Sequence, residues 1–281
     1  MNNIMNKNNK SILITGCSTG IGLCVAQALQ QRGYRVFATA RKKEDVVKIK
    51  SLGLESLQLD LDSSASIQSA FNEIIKETGG TLDALFNNGA YGQAGAVEDL
   101  SRDVLRQQFE TNVFGWHELT NLVLPVMLKQ GHGRIIQNSS VLGFTALKLR
   151  GAYTASKYAI EGLSDTLRQE LIGTNIFISL IEPGPIESQF RANSFAAYKK
   201  NIDKENSRFK KEYESTEKRL GKKGAAVPFT LPPEAVLKRV IQALESKKPK
   251  PRYYVTTPTY LFGYLKRFLS TALMDKILNK V

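Results

Sequence analysis

The sequence predicts an α/β protein, a single-domain, doubly wound parallel sheet with helices on both faces and a late insertion. Three observations predict it. Short apolar runs alternate with longer amphipathic stretches over the first 190 residues, the pattern of βαβ units whose parallel strands are buried on both sides. A glycine-rich turn joins the first apolar run to the first amphipathic stretch. Finally, 281 residues with 42% hydrophobic and 23% charged content suit one large core and exclude a disordered, collagenous or coiled-coil chain.

The elements follow in order. Ser11-Ile12-Leu13-Ile14-Thr15 reads as a buried strand, and residues 21–32 as an apolar-periodic helix. Further strands are expected at residues 34–40, 55–61, 82–87, 134–138 and 175–181, with helices over 64–77, 102–130 and 153–171. From residue 191 to about 230 the periodicity fails, and this Lys-, Glu-, Phe- and Tyr-bearing stretch is expected to be a mobile insertion over the substrate side. Pro232-Pro233 opens a helix to about residue 245, and Tyr253-Tyr254-Val255 supplies a last strand. Residues 256–281 make a basic amphipathic tail.

Charge separates the chain into two parts. The net charge of +13 arises after residue 190, where 21 Lys/Arg face 8 Asp/Glu; before it there are 18 of each. The excess is read as a solvated positive face beside an anionic cofactor, with a polyanion partner the alternative. No helix-turn-helix, zinc-finger or aromatic RNA-binding signature accompanies it, so no nucleic acid is expected. Cys17 and Cys24 alone cannot build a disulfide framework, and two His beside two Cys make no structural zinc cluster. The opening MNNIMNKNNK lacks the apolar run of a signal peptide, and no stretch of about 18 apolar residues occurs. A cytoplasmic protein without a metal is the expectation.

Thr15-Gly16-Cys17-Ser18-Thr19-Gly20-Ile21-Gly22 lies between the first strand and its helix. Glycines there allow a tight turn and close backbone approach, while the helix start offers N–H donors and a positive dipole end to a pyrophosphate. A dinucleotide, in a Rossmann-type arrangement, is therefore expected across Gly16, Ser18, Thr19, Gly20, Ile21 and Gly22. NAD sites carry an acid at the end of the second strand for the ribose 2′-hydroxyl. Here Ala40 is followed by Arg41, Lys42 and Lys43. A guanidinium binds a 2′-phosphate that a carboxylate would repel, so NADP(H) is favoured, with NAD(H) possible.

Tyr153 and Lys157 are spaced i, i+4 on a helical pattern and share a face. A free phenol, with a pKa near 10, is a poor proton shuttle at pH 7; an adjacent ammonium is expected to lower it into range for acid–base work. Carbonyl reduction needs such a donor. Ser139-Ser140 follows the strand at 134–138, and Asn87-Asn88-Gly89-Ala90 ends another. Open α/β sheets bind ligands at that edge, where a serine hydroxyl can hold a carbonyl oxygen.

Together these motifs resemble the short-chain dehydrogenase/reductase family over about residues 10–190. The resemblance implies that Asp60 bonds the adenine amine, that Asn87 lines the cofactor site, and that the active tetrad is Asn112, Ser140, Tyr153 and Lys157. Ser140 is chosen over Ser139 because thirteen residues separate the family's serine from its tyrosine. Tyr153 would be the general acid or base, Lys157 would lower its pKa and bind the nicotinamide ribose, Ser140 would orient the carbonyl and Asn112 would hold a relay water. Pro183 and Gly184 open a segment resembling the family's carboxamide clamp, with Ile186 and Ser188 at the contacting positions. Two departures stand out: the usual Asn-Asn-Ala-Gly reads Asn-Asn-Gly-Ala, and Thr19 replaces the basic residue that many NADP-binding members carry. Tyr91-Gly92, the Ile181–Ile186 stretch and the basic tail resemble 17β-hydroxysteroid and retinol dehydrogenase-like members.

Leu142, Phe144, Leu147, Leu149, Phe190, Phe195 and Tyr198 follow the serine and the clamp, so either an apolar pocket for a lipophilic carbonyl compound or lid packing is expected. The tail stretch Tyr260–Leu269 mixes aromatics and cations; it caps the pocket, joins a subunit interface or meets a membrane surface. A homodimer or homotetramer is what the resemblance implies. Beside the reductase reading stand an NAD-dependent alcohol dehydrogenase and a non-catalytic cofactor sensor.

Overall fold

Alternation along the first strand, β1 (Ser11–Ile14), sets the layers. Ile12 and Ile14 turn to one apolar layer and Leu13 to the other, as a two-residue period requires, so both faces must be covered. In this computed structural model, which describes residues 10–222, 224 and 227–280, the polar opening segment lies outside the described residues. α1 (Gly20–Gln31) leads to β2 (Arg35–Ala40), α2 (Lys43–Ser51) to β3 (Glu55–Gln58), and α3 (Ser64–Glu77) to β4 (Ala84–Asn87). α4 (Arg102–Phe109) passes through a π-helical turn, Glu110–Phe114, into α5 (Gly115–Gln130), then β5 (Gly133–Asn138), α6 (Gly151–Glu170) and β6 (Ile176–Glu182). α7 (Phe190–Asn201) and α8 (Lys210–Gly221) precede α9 (Glu234–Glu245), β7 (Arg252–Tyr254), α10 (Thr257–Phe268) and α11 (Thr271–Leu278).

The seven strands run parallel in the order β3-β2-β1-β4-β5-β6-β7. The chain winds outward from β1 to β3, then crosses back to place β4 on the other side of β1. The crevice beyond the carboxyl ends of β1 and β4 is the ligand position of such sheets. α1, α2 and α9 close one face through Val25, Leu29, Val46, Ile49 and Val240. α3, α5 and α6 close the other through Ile67, Ile74, Trp116, Val123 and Ile160.

Three expectations shift. The third strand stops at Gln58 because the Asp60 side chain accepts the Asp62 N–H at 3.1 Å and Ser66 Oγ accepts the Asp60 N–H at 3.0 Å, turning the chain into α3. The long helix expected over residues 102–130 is interrupted by the π turn, which carries Asn112 fully inside. Residues 191–230 hold α7 and α8, docked over a third apolar cluster of Ala94, Ala96, Tyr198, Tyr213 and Leu220. The Tyr213 hydroxyl donates to Asp99 Oδ2 at 2.5 Å and accepts the Ala96 N–H at 2.8 Å. The basic tail forms α10 and α11. Among the described residues no helix is long and apolar enough to cross a membrane.

Candidate active site

The cradle at the end of β1 is held by side chains from three strand ends. Thr15 Oγ1 accepts the N–H groups of Asn88 and Gly89, both at 2.9 Å, and Asn88 Nδ2 donates to Thr15 O and Gly16 O. Asn138 Nδ2, at the end of β5, donates to Asn88 Oδ1 at 2.8 Å. Gly16 has φ +71°, and a Cβ on Gly22 would sit 2.3 Å from Gly16 O, so only glycine fits. Thr19 starts α1 without a side-chain cap, and no acid lies in its first turn; the free N–H donors fit a pyrophosphate. Ser188 closes the cradle from the opposite side, since a Cβ on Gly20 would lie 2.9 Å from Ser188 Cβ. Ser18 and Thr19 are exposed, Ile21 and Ile186 half-buried, and Pro183 buried. Gly184 donates its N–H to Thr256 Oγ1 at 3.1 Å, and Ile186 bridges to Leu231. Asn87 is fully buried with its Nδ2 on Thr120 Oγ1 and its Oδ1 unpartnered. Arg41 is exposed just past β2 with no ion pair among the described residues, its field reaching Asp62; Asp60 sits half-buried past β3. These residues fit a dinucleotide cofactor.

Tyr153 and Lys157 lie on the first two turns of α6, with Lys157 Nζ 5.7 Å from the phenol ring centre. The Ser140 side chain hydrogen-bonds the Tyr153 phenol and accepts the Leu142 N–H at 3.1 Å. Lys157 is 1% exposed; its ammonium donates to Asn138 O at 2.7 Å and lies 4.1 Å from the centre of the Trp116 ring. Trp116 Nε1 in turn donates to Gly89 O at 2.8 Å, so the lysine's platform is bolted to the cradle. Burial disfavours the charged form of both groups. It pushes the phenol up to about 12, against the Ser140 hydrogen bond, and pulls the amine down to about 7, against the Glu161 carboxylate. The expected lowering of the phenol is therefore not what this structure holds: burial keeps Tyr153 protonated at neutral pH. Asn112 lies beside them, its Nδ2 on Tyr91 O (2.9 Å) and Ser156 Oγ (3.2 Å) and its Oδ1 on the Tyr91 N–H.

Comparison with known proteins decides the family. The family model "short chain dehydrogenase" matches residues 10–199. The chain belongs to the short-chain dehydrogenase family. It is 44% identical over 270 residues to the uncharacterized oxidoreductase YbbO of Escherichia coli, covering 96% of this chain and 94% of that one. It is 38% identical over 197 residues to human retinol dehydrogenase 8, covering 66% and 62% of the two chains. Among solved structures, actinorhodin polyketide ketoreductase with NADPH superposes with a TM-score of 0.72 at 25% identity, covering 89% and 97%.

This short-chain dehydrogenase brings all four tetrad positions to one sheet edge, together with groups that the motifs do not announce. Glu161, one turn past Lys157, and Glu182, at the end of β6, both meet Arg252 from β7; Glu182 Oε1 is 2.6 Å from Arg252 Nη1, and Asp165 Oδ2 is 2.6 Å from Nη2. The i, i+4 spacing of Lys157 and Glu161 was a visible signal; nothing local marks Arg252. Of the apolar residues flagged in sequence, Phe190 meets the Tyr153 ring edge-on at 5.2 Å. Leu149, Phe195 and Tyr198 instead pack into the cluster beneath α7 and α8. Phe144 meets the Tyr254 ring at a tilt, and Lys266 Nζ of α10 donates to Phe144 O at 2.5 Å, so the tail covers the loop after Ser140.

Proposed function

We propose that this short-chain dehydrogenase reduces a lipophilic aldehyde or ketone (of the retinoid, steroid or fatty-aldehyde kind) to the alcohol with NADP(H), reversibly. One observation carries the reading: a neutral phenol, hydrogen-bonded to Ser140 and one turn from Lys157, at the edge that holds the dinucleotide cradle. Bound in that cradle, the nicotinamide cofactor supplies or takes up the hydride. Tyr153 gives its hydroxyl proton to the carbonyl oxygen as charge builds there, and Ser140 donates a hydrogen bond to the same oxygen. Lys157, fixed by Asn138 O and the Trp116 ring, stabilises the phenolate left behind. Asn112, whose amide is taken up by Tyr91 and Ser156, offers its main-chain carbonyl to a relay water. Ser18, Thr19, Gly20, Ile21 and Gly22 hold the pyrophosphate, Asp60 the adenine, Asn87 the wall of the site, and Pro183, Gly184, Ile186 and Ser188 the carboxamide. Arg41, with no ion pair among the described residues, favours a 2′-phosphate, and Phe190 on Tyr153 favours an apolar substrate. α7 and α8 form the substrate lid. Both thiols are free, as the cytoplasm allows, and exposed Phe114 and Leu163 offer surfaces for a homodimer or homotetramer.

The test is Tyr153→Phe. NADPH binding, followed by fluorescence, is expected to stay within about twofold, while turnover of a lipophilic aldehyde falls by roughly 10²–10⁴. Retained turnover overturns the assignment. A second reading, NAD(H)-linked oxidation, draws on Thr19 in place of a basic residue; saturation curves with both cofactors separate the two.

A further inference from the structure

Cationic and apolar surface outside the catalytic edge concentrates on the C-terminal helices. Residues 246–280 contain eight Lys/Arg and one acid, Asp275. Arg252 is matched by its three carboxylates; Lys248, Lys250 and Arg267 have no ion pair among the described residues. α10 buries Thr259, Phe262 and Gly263 against the body. Its opposite face carries Tyr260, Leu261, Tyr264 and Phe268 at helical spacing, the last three 53%, 55% and 82% exposed. Beside this row, Arg239, Lys248, Lys250, Arg267, Tyr260 and Tyr264 line a cleft of about 470 Å³.

A contiguous exposed apolar row costs free energy in water unless something covers it. A second copy of the chain is a poor cover, because the same cationic segment would face itself. Hydrocarbon beside phosphate matches both halves of the surface: phenol rings and aliphatic side chains suit the interfacial layer of a bilayer, and cations suit its anionic headgroups. We propose that this face docks peripherally on an anionic phospholipid bilayer, with the Leu261, Tyr264 and Phe268 row entering the interface and the cationic cleft receiving lipid phosphates. The inference stands on the surface alone and is independent of the catalytic reading.

The experiment is flotation of the full-length protein with vesicles of phosphatidylcholine alone and of phosphatidylcholine mixed with phosphatidylglycerol. Binding to the mixed vesicles, weakened by salt, and little binding to the neutral ones is the expected result. Arg267→Gln is expected to lower the partition by about fivefold, one surface cation being worth that much. The pair Leu261→Ser and Phe268→Ser is expected to abolish flotation while leaving the far-ultraviolet circular dichroism unchanged. Equal partition onto both vesicle types overturns the proposal, as does full retention by the apolar pair, which means adsorption by charge alone. Loss of a dimer in sedimentation equilibrium with the same pair assigns the face to a second copy and overturns it too.

Discussion

Lys157 and Tyr153 share a helix face by spacing that can be read directly from the sequence, but their environment cannot. Burial pulls the lysine's amine down against the Glu161 carboxylate, and Trp116 and Asn138, which help to enclose it, come from other elements. Burial thus reversed the expected shift of the phenol, because desolvation depends on packing that no motif encodes. The same effect makes Glu182 testable. Burial first, then the Glu161 carboxylate, push its carboxyl up to about 8. From the ordinary carboxylate range to that value the folded chain keeps a proton that the unfolded chain has released, so stability falls as pH rises. Glu182→Gln still accepts from Arg252 but removes this dependence. Its thermal midpoint relative to wild type is expected to gain more at pH 8 than at pH 5; equal shifts would contradict the retained proton. At the cofactor end, Arg41→Ala is expected to lower the kcat/KM preference for NADPH over NADH by about 10–100-fold, the loss of a charged hydrogen bond. An unchanged ratio removes Arg41 from cofactor selection.

Among the elements, the strands and their crossover helices were legible because apolar runs and 3.6-residue periods persist where both sides are buried. α7 and α8 were not. Their buried residues are few and chemically mixed (Ser194, Tyr198, Tyr213, Thr216 and Leu220), and cations fill the outer faces, so the period is too weak to read. The π turn at Asn112 was equally hidden, since it arises where the side chain reaches the Tyr91 backbone and not from any helix-breaking residue. Tyr213→Phe tests how α7 and α8 are docked. Losing the hydroxyl leaves the buried Ala96 N–H without its partner, at a cost of about 1–3 kcal/mol. Limited proteolysis is expected to cut residues 190–221 several times faster than in wild type. Unchanged cleavage would mean that the apolar contacts alone hold these helices.

Across the whole molecule, one side chain joins three elements. Arg252 on the three-residue edge strand β7 meets Glu161 and Asp165 of α6 and Glu182 of β6. Breaking such a cluster leaves the buried side chains of Glu161 and Glu182 without their Arg252 donor, so Arg252→Met is expected to cost about 3–5 kcal/mol by urea denaturation; a change below about 1 kcal/mol would show that the cluster contributes little to stability. The uneven charge was plain from the residue count, yet where those cations gather depended on how the tail folds back. That fold has a mechanical side. Because Lys266 grips the carbonyl of Phe144 from 122 residues away, the tail is a tether on the turn that begins at Ser140. A chain cut before Thr257 therefore forfeits more than an outer surface: it slackens the segment that carries Ser140.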